Sequence, residues 1–161
     1  MKLTRKLVLA KAKASDLESV KKLNCWGCNL TEVSFTFNLI FDKNPSPFLE
    51  SPLAGCLNLC ELYLRRNMIP SLSELSHLRP LSRLKVLWLA ENPCCGNDPD
   101  HYRLTVLRCL PCLQKLDNQD LDEDELLVVH TATQNRLQMF TLNSEMMNNS
   151  LQTQKNEDID D

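Results

Sequence analysis

Two short motifs in the chain have the spacing of sulfur chemistry: Cys25-Trp26-Gly27-Cys28 and Cys109-Leu110-Pro111-Cys112. Paired CxxC motifs hold zinc in many small domains, and a single one at a helix N-terminus can act as a dithiol. Cys94-Cys95 offers a third thiol pair. The three histidines, His77, His101 and His130, have no nucleophile or carboxylate at a catalytic spacing, and no glycine-rich phosphate loop is present. A second group has recognition chemistry. Trp26, Tyr63 and Trp88 recur along the chain with Asn24, Asp42, Glu61, Arg65 and Ala90 beside them. Tryptophan, tyrosine and arginine dominate binding hot spots.

What must position these groups is a repeat. Leu59-Cys60-Glu61-Leu62-Tyr63-Leu64-Arg65-Arg66-Asn67 reads LxxLxLxxN, and Leu84 to Asn92 reads the same, 25 residues on. Val20 to Cys28 is a weaker copy. This is the leucine-rich repeat pattern. Within it, Leu62 and Leu64 point to one face of a short strand, and Tyr63 and Arg65 to the other. Asn67 stands where the chain bends off the strand, and its amide can pair backbone groups left buried there. One unit cannot cover its apolar face, so the pattern predicts an α/β fold: a right-handed solenoid with a short parallel sheet on its concave side and helical caps at both ends.

The same pattern decides the cysteines. Cys25 takes the inward place of Leu64 and Leu89, and Cys28 that of Asn67 and Asn92, with most of the solenoid between them and Cys109-Cys112. This weighs against a shared zinc, and Cys25 on a strand weighs against redox work. No catalytic residue, metal or cofactor is assigned. The outward positions make the concave face the candidate partner-binding surface: Trp26, Tyr63, Arg65 and Trp88, with Asn24 and Glu61.

In chain order, Thr4 caps a helix to about Lys13, with Leu3 and Val8 as a hydrophobic staple. Leu39 to Asn44 fits the repeat but follows Leu23 by only 16 residues. Distortion and fast amide exchange are expected from Ser34 to Pro52, or a register using Phe35 and Phe37. Leu72, Leu75, Leu78 and Leu81 line the arc after the third strand. Tyr102, Val106, Leu107 and Leu110 share one helical face. Pro111 ends that helix, and Leu113 to Asp117 supplies a last strand. Asp122 and Glu125 form a capping box, and Leu121 and Leu126 a second staple. Residues 1–125 are read as the repeat domain and 126–161 as a polar acidic tail, helical at first, then disordered or loosely helical beyond about Asn135.

Charge divides at the same place. Residues 1–116 hold 16 Lys or Arg against 10 Asp or Glu, and residues 117–161 hold 2 against 11. No stretch reaches the roughly 18 apolar residues of a membrane span. The lysine-rich start lacks a signal peptide's continuous apolar segment, so an intracellular protein with reduced cysteines is expected.

Asn92-Pro93-Cys94-Cys95-Gly96, then Tyr102-Arg103, Val106-Leu107, Leu110-Pro111, Leu113 and Leu116-Asp117 resemble the C-terminal cap of the intracellular, SDS-twenty-two-like leucine-rich repeats. Met1 to Lys6, Lys22 to Gly27, Glu61 to Asn67 and Val86 to Gly96 resemble the ciliary members of that group, the cilia- and flagella-associated proteins. The resemblance implies a non-enzymatic scaffold for cilium assembly at the basal body. It also implies protein partners, among them a NIMA-related protein kinase, and a link to DNA-damage repair. It places the protein in cytoplasm and cytoskeleton, with nucleus and mitochondrion as further sites. Against that family the second repeat is several residues short, and the long variable region and C-terminal helical oligomerisation segment are absent. Self-association and kinase contact through that segment are therefore not expected, and the chain looks like a truncated or spliced form. A nuclear ribonucleoprotein or chromatin adaptor is the first alternative, and a thiol-redox or zinc protein the second. Direct nucleic-acid binding and membrane insertion are not expected.

Overall fold

A computed structural model describes residues 1–33, 53 and 55–157. It is a mixed α/β structure with one five-stranded sheet whose strands lie in chain order. Helix α1 (Arg5–Ala12) precedes β1 (Lys22–Asn24). Then come β2 (Glu61–Tyr63), a 3-10 turn (Leu72–Leu78), β3 (Val86–Trp88), α2 (Pro99–Cys109), β4 (Lys115–Leu116), β5 (Gln119–Asp120) and α3 (Glu123–Glu157). β1 to β4 are parallel, and β5 turns back antiparallel on β4.

The leucines explain the sheet. Leu23, Leu62, Leu87 and Leu116 sit opposite one another through successive pairings, and all four are fully buried. Cys25, Leu64 and Leu89 form a second buried row just beyond. Val20, Leu59, Leu84 and Leu113 enter the core before each strand, and Ile69, Leu75, Leu78 and Leu81 close it from the arc. A buried leucine typically contributes about 1.5–3 kcal/mol.

Each full repeat leaves its strand through a left-handed residue: Gly27, Arg66 and Glu91 at φ near +60°. Only glycine takes that conformation freely. At Arg66 and Glu91 the following asparagine holds the bend. Asn67 Nδ2 donates to the carbonyls of Cys25 and Leu64, each at 2.8 Å, and its Oδ1 accepts from Leu30 N–H. Asn92 repeats this with the Leu64 and Leu89 carbonyls and Ile69 N–H. Both side chains are buried. Cys28, in the same place, makes a long bond of 3.6 Å to the nearby Trp26 carbonyl.

The caps follow the sequence reading. Thr4 Oγ1 accepts from Leu7 N–H, and Leu3 and Val8 are fully buried. Asp122 and Glu125 bond each other's backbone N–H reciprocally, at 2.8 and 3.1 Å. Arg103 on α2 joins that box, bonding both Glu125 carboxylate oxygens and the Leu116 carbonyl.

Four expectations need correction or fall outside what is described. The expected strand at Leu39–Asn44 and the weak joint over Ser34–Pro52, with Phe35, Phe37 and Asp42, lie outside the described residues. β1 nevertheless pairs directly with β2, so the repeats bearing Trp26 and Tyr63 are neighbours. Leu126, expected to pair with Leu121 as a staple, is 52% exposed, and Leu121 and Val129 are the residues there that pack against the core. Past Asn135, where disorder or loose helix was expected, α3 continues as helix to Glu157. That stretch has no glycine or proline and many Leu, Gln, Met and Glu, all permissive of helix.

Glu125→Ala is expected to lower unfolding stability by about 1–3 kcal/mol, as for loss of a charge-assisted bond. The Arg103 hydrogen bond holds the Glu125 carboxyl below its ordinary range. Its contribution is therefore complete above that ordinary range and is lost as pH falls through the lowered value. Urea unfolding of wild type and variant, at neutral and acid pH, checks this. The difference between them should shrink in acid.

Candidate functional site

The outward residues of β1 to β3 meet in one cluster. Register alone does not align them: Asn24 stands opposite Tyr63, and Tyr63 opposite Trp88, while Trp26 lies two residues past Asn24. The Trp26 ring nevertheless lies across to Trp88, with centroids 5.8 Å apart, and Tyr63 packs on Trp88 at 5.4 Å, both tilted. Trp88 is the central ring and half-buried. Trp26 is 40% exposed. Tilted aromatic pairs of this kind are worth roughly 0.5–1.5 kcal/mol each beyond burial.

Cations flank the rings. The Arg65 guanidinium lies 5.1 Å from the Trp26 ring centre, and Lys22 Nζ 4.8 Å from that of Tyr63. Glu61 binds Lys22 at 3.0 Å and accepts the Tyr63 hydroxyl at 2.6 Å. These two hydrogen bonds lower the Glu61 pKa, that from Tyr63 most, and the Lys22 pKa rises chiefly through its bond to Glu61. Arg65 Nε donates to Glu91 at 2.8 Å, and Arg66 bonds the other Glu91 oxygen. Those two bonds, Arg66 first, lower the Glu91 carboxyl.

Of the six residues read from the sequence, Trp26, Tyr63, Trp88 and Arg65 are brought into contact. Glu61 is there but tied to Lys22 and Tyr63. Asn24 instead shapes the turn that carries the Trp26 ring, its Oδ1 accepting Trp26 N–H at 3.0 Å. The sequence reading missed Lys22, Arg66 and Glu91. Arg66 and Glu91 occupy equivalent places in adjacent repeats, so the repeat spacing could have paired them.

Beside this face an open cleft of about 330 Å³ is lined by Glu91, Cys95, Tyr102, Arg103, Asp117 and Gln119, among others. Asp117 organises it. Its Oδ1 accepts Leu89 and Ala90 N–H at 2.7 and 2.8 Å, and its Oδ2 accepts the Tyr102 hydroxyl at 2.6 Å. Burial and that carboxylate push the Tyr102 pKa far up.

The thiols sit apart. All eight cysteines are free, and no three His, Cys, Asp or Glu side chains gather into a metal-sized group among the described residues. Burial pushes Cys25 up to about 12, the opposite of a reactive thiolate. The Cys94 hydrogen bond pulls Cys95 down, but Cys95 Sγ donates to the Leu89 carbonyl at 3.3 Å, a bond that only the protonated thiol makes.

No family model matches this sequence. Over 132 residues it is 58% identical to cilia- and flagella-associated protein 410 of Homo sapiens, covering 78% of this chain and 51% of that protein. The chain thus spans about half the length of that curated relative. It is also 42% identical over 64 residues to leucine-rich repeat-containing protein 23 of Homo sapiens, covering 40% of this chain and 18% of that protein. Among solved structures, the Drosophila melanogaster SNF/U2A′ complex superposes with a TM-score of 0.45 at 20% identity, over 83% of this chain and 91% of that one. The 58% identity bears out the resemblance carried by the sequence motifs.

The central ring and the exposed ring should respond differently to truncation. Trp88→Ala removes two ring contacts and is expected to cost about 1–3 kcal/mol. Trp26→Ala should stay within about 1 kcal/mol of wild type. Urea unfolding of both variants measures the contrast.

Proposed function

We propose that this chain is a non-enzymatic protein-docking module, built as a right-handed leucine-rich solenoid and serving cilium assembly. One observation carries the docking reading: an exposed tryptophan at the edge of a packed ring cluster, with arginine against it, on the open face of the sheet. Side chains of this kind, set where water can be excluded, contribute most of the energy at protein interfaces. The 58% identity to cilia- and flagella-associated protein 410 supports the ciliary setting. Within that setting we propose action at the basal body, with a NIMA-related kinase among the partners and a link to DNA-damage repair. Residues 1–125 form the docking module, and 126–161 are a separable extension. Trp26, Tyr63, Arg65 and Trp88 hold the partner, and Glu61 and Asn24 fix their positions.

Affinity purification from ciliated cells, read by mass spectrometry, tests this. The tagged wild-type chain is expected to retain ciliary proteins that Trp26→Ala loses. Identical recoveries from both chains would remove the sheet face as the docking surface. Splicing or histone complexes in place of ciliary ones would remove the ciliary setting.

A further inference from the structure

We infer that the segment this face takes is acidic: a stretch of a partner protein carrying a carboxylate close to an aromatic or aliphatic side chain. The inference rests on the sheet face being the docking surface and adds the partner's chemistry.

The charges argue for it. Among the described residues, both acids beside the rings are already bonded. Glu61 is held by Lys22 and the Tyr63 hydroxyl. Glu91 is divided between Arg65 and Arg66. Two guanidiniums share the Glu91 carboxylate, and the neighbouring Asp117 carboxylate is taken up by backbone N–H groups and the Tyr102 hydroxyl, so the arginine pair keeps N–H groups to offer. An incoming cation would have to displace an arginine from Glu91. An incoming carboxylate displaces nothing, and planar guanidinium groups take carboxylates in two-pronged fashion. The Arg66 side chain is 63% exposed, so its far side can be reached from solvent.

The rings fix where the apolar side chain goes. Arg65 is 5.1 Å from the Trp26 ring centre, so the anion seat and the exposed indole are adjacent. On an extended chain, residues i and i+2 share a side and stand about 7 Å apart. An acid and an apolar residue at that spacing reach both.

A nucleic-acid strand fits less well. It needs a track of free cations along its backbone. Here Lys22 and Lys115 are each paired, with Glu61 and Asp120, so among the described residues the unmatched charge beside the rings is confined to Arg65 and Arg66.

A random peptide library displayed on phage, selected on the full chain, tests the inference. Enriched peptides should carry Asp or Glu within two residues of Trp, Phe or Leu. Their affinity should fall about tenfold or more, roughly 1.4 kcal/mol, on Arg66→Gln and on Trp26→Ala. Arg66→Lys should retain only part of it, because an ammonium keeps the charge but not the two-pronged fork. Both positions are exposed, and a cooperative urea transition near that of wild type confirms that each variant is folded. Neutral or basic peptides that still depend on Trp26 would overturn the acidic chemistry and leave the docking face standing. Peptides indifferent to both Trp26 and Arg66 would remove both. No enrichment, or displacement of the peptides by a labelled single-stranded oligouridylate, would overturn the inference.

Discussion

The bonds of two buried asparagines hold the rest of the structure in place. Asn67 and Asn92 each sit at the exit of a strand, and each reaches a carbonyl of its own repeat and one of the repeat before. Each amide oxygen also takes an N–H from the preceding repeat's arc. A buried polar group without such partners is costly, so the repeats can bend off the sheet only where the amide satisfies what the bend exposes. After β3 the arrangement changes hands. Asp117 takes the Leu89 and Ala90 N–H groups and fastens Tyr102 of α2 to the end of the sheet.

That constraint also makes the candidate site. Because the strands exit together, the residues just past them stack between repeats. Arg65, Arg66 and Glu91 are such residues, and so is Trp26. The core-facing row is uniformly leucine, and its opposite face is free to vary. It carries two tryptophans, a tyrosine and the ions around them. The leucines keep the sheet in register, and the register brings the rings together.

Much of this was legible in the sequence. The alternation Leu62-Tyr63-Leu64 separates core from face, and the leucines of both LxxLxL motifs, Leu59, Leu62, Leu64, Leu84, Leu87 and Leu89, are all buried. Thr4, and the Asp122–Glu125 box, announce their helices by local rules that need no tertiary context. Three features were not legible. The adjacency of β1 and β2 depends on a pairing across 39 positions, and the Leu39–Asn44 pattern invited a strand between them. The contact of Trp26 with Trp88 depends on side-chain reach, since the register sets them two residues apart. The antiparallel turn at Asp117-Asn118 depends on two left-handed residues, neither of them glycine.

If the asparagine side chains, and not leucine burial alone, couple one repeat to the next, deleting one amide should be costly. Equilibrium urea unfolding of Asn67→Ala, set against Asn24→Ala in the exposed turn, tests this most directly. Alanine at Asn67 leaves Leu30 N–H and the Cys25 carbonyl without their partner. A loss of at least about 2 kcal/mol is expected. Asn24→Ala should lose clearly less. An Asn67→Ala chain within about 0.5 kcal/mol of wild type would contradict the coupling, because a buried amide that can be deleted so cheaply holds nothing together.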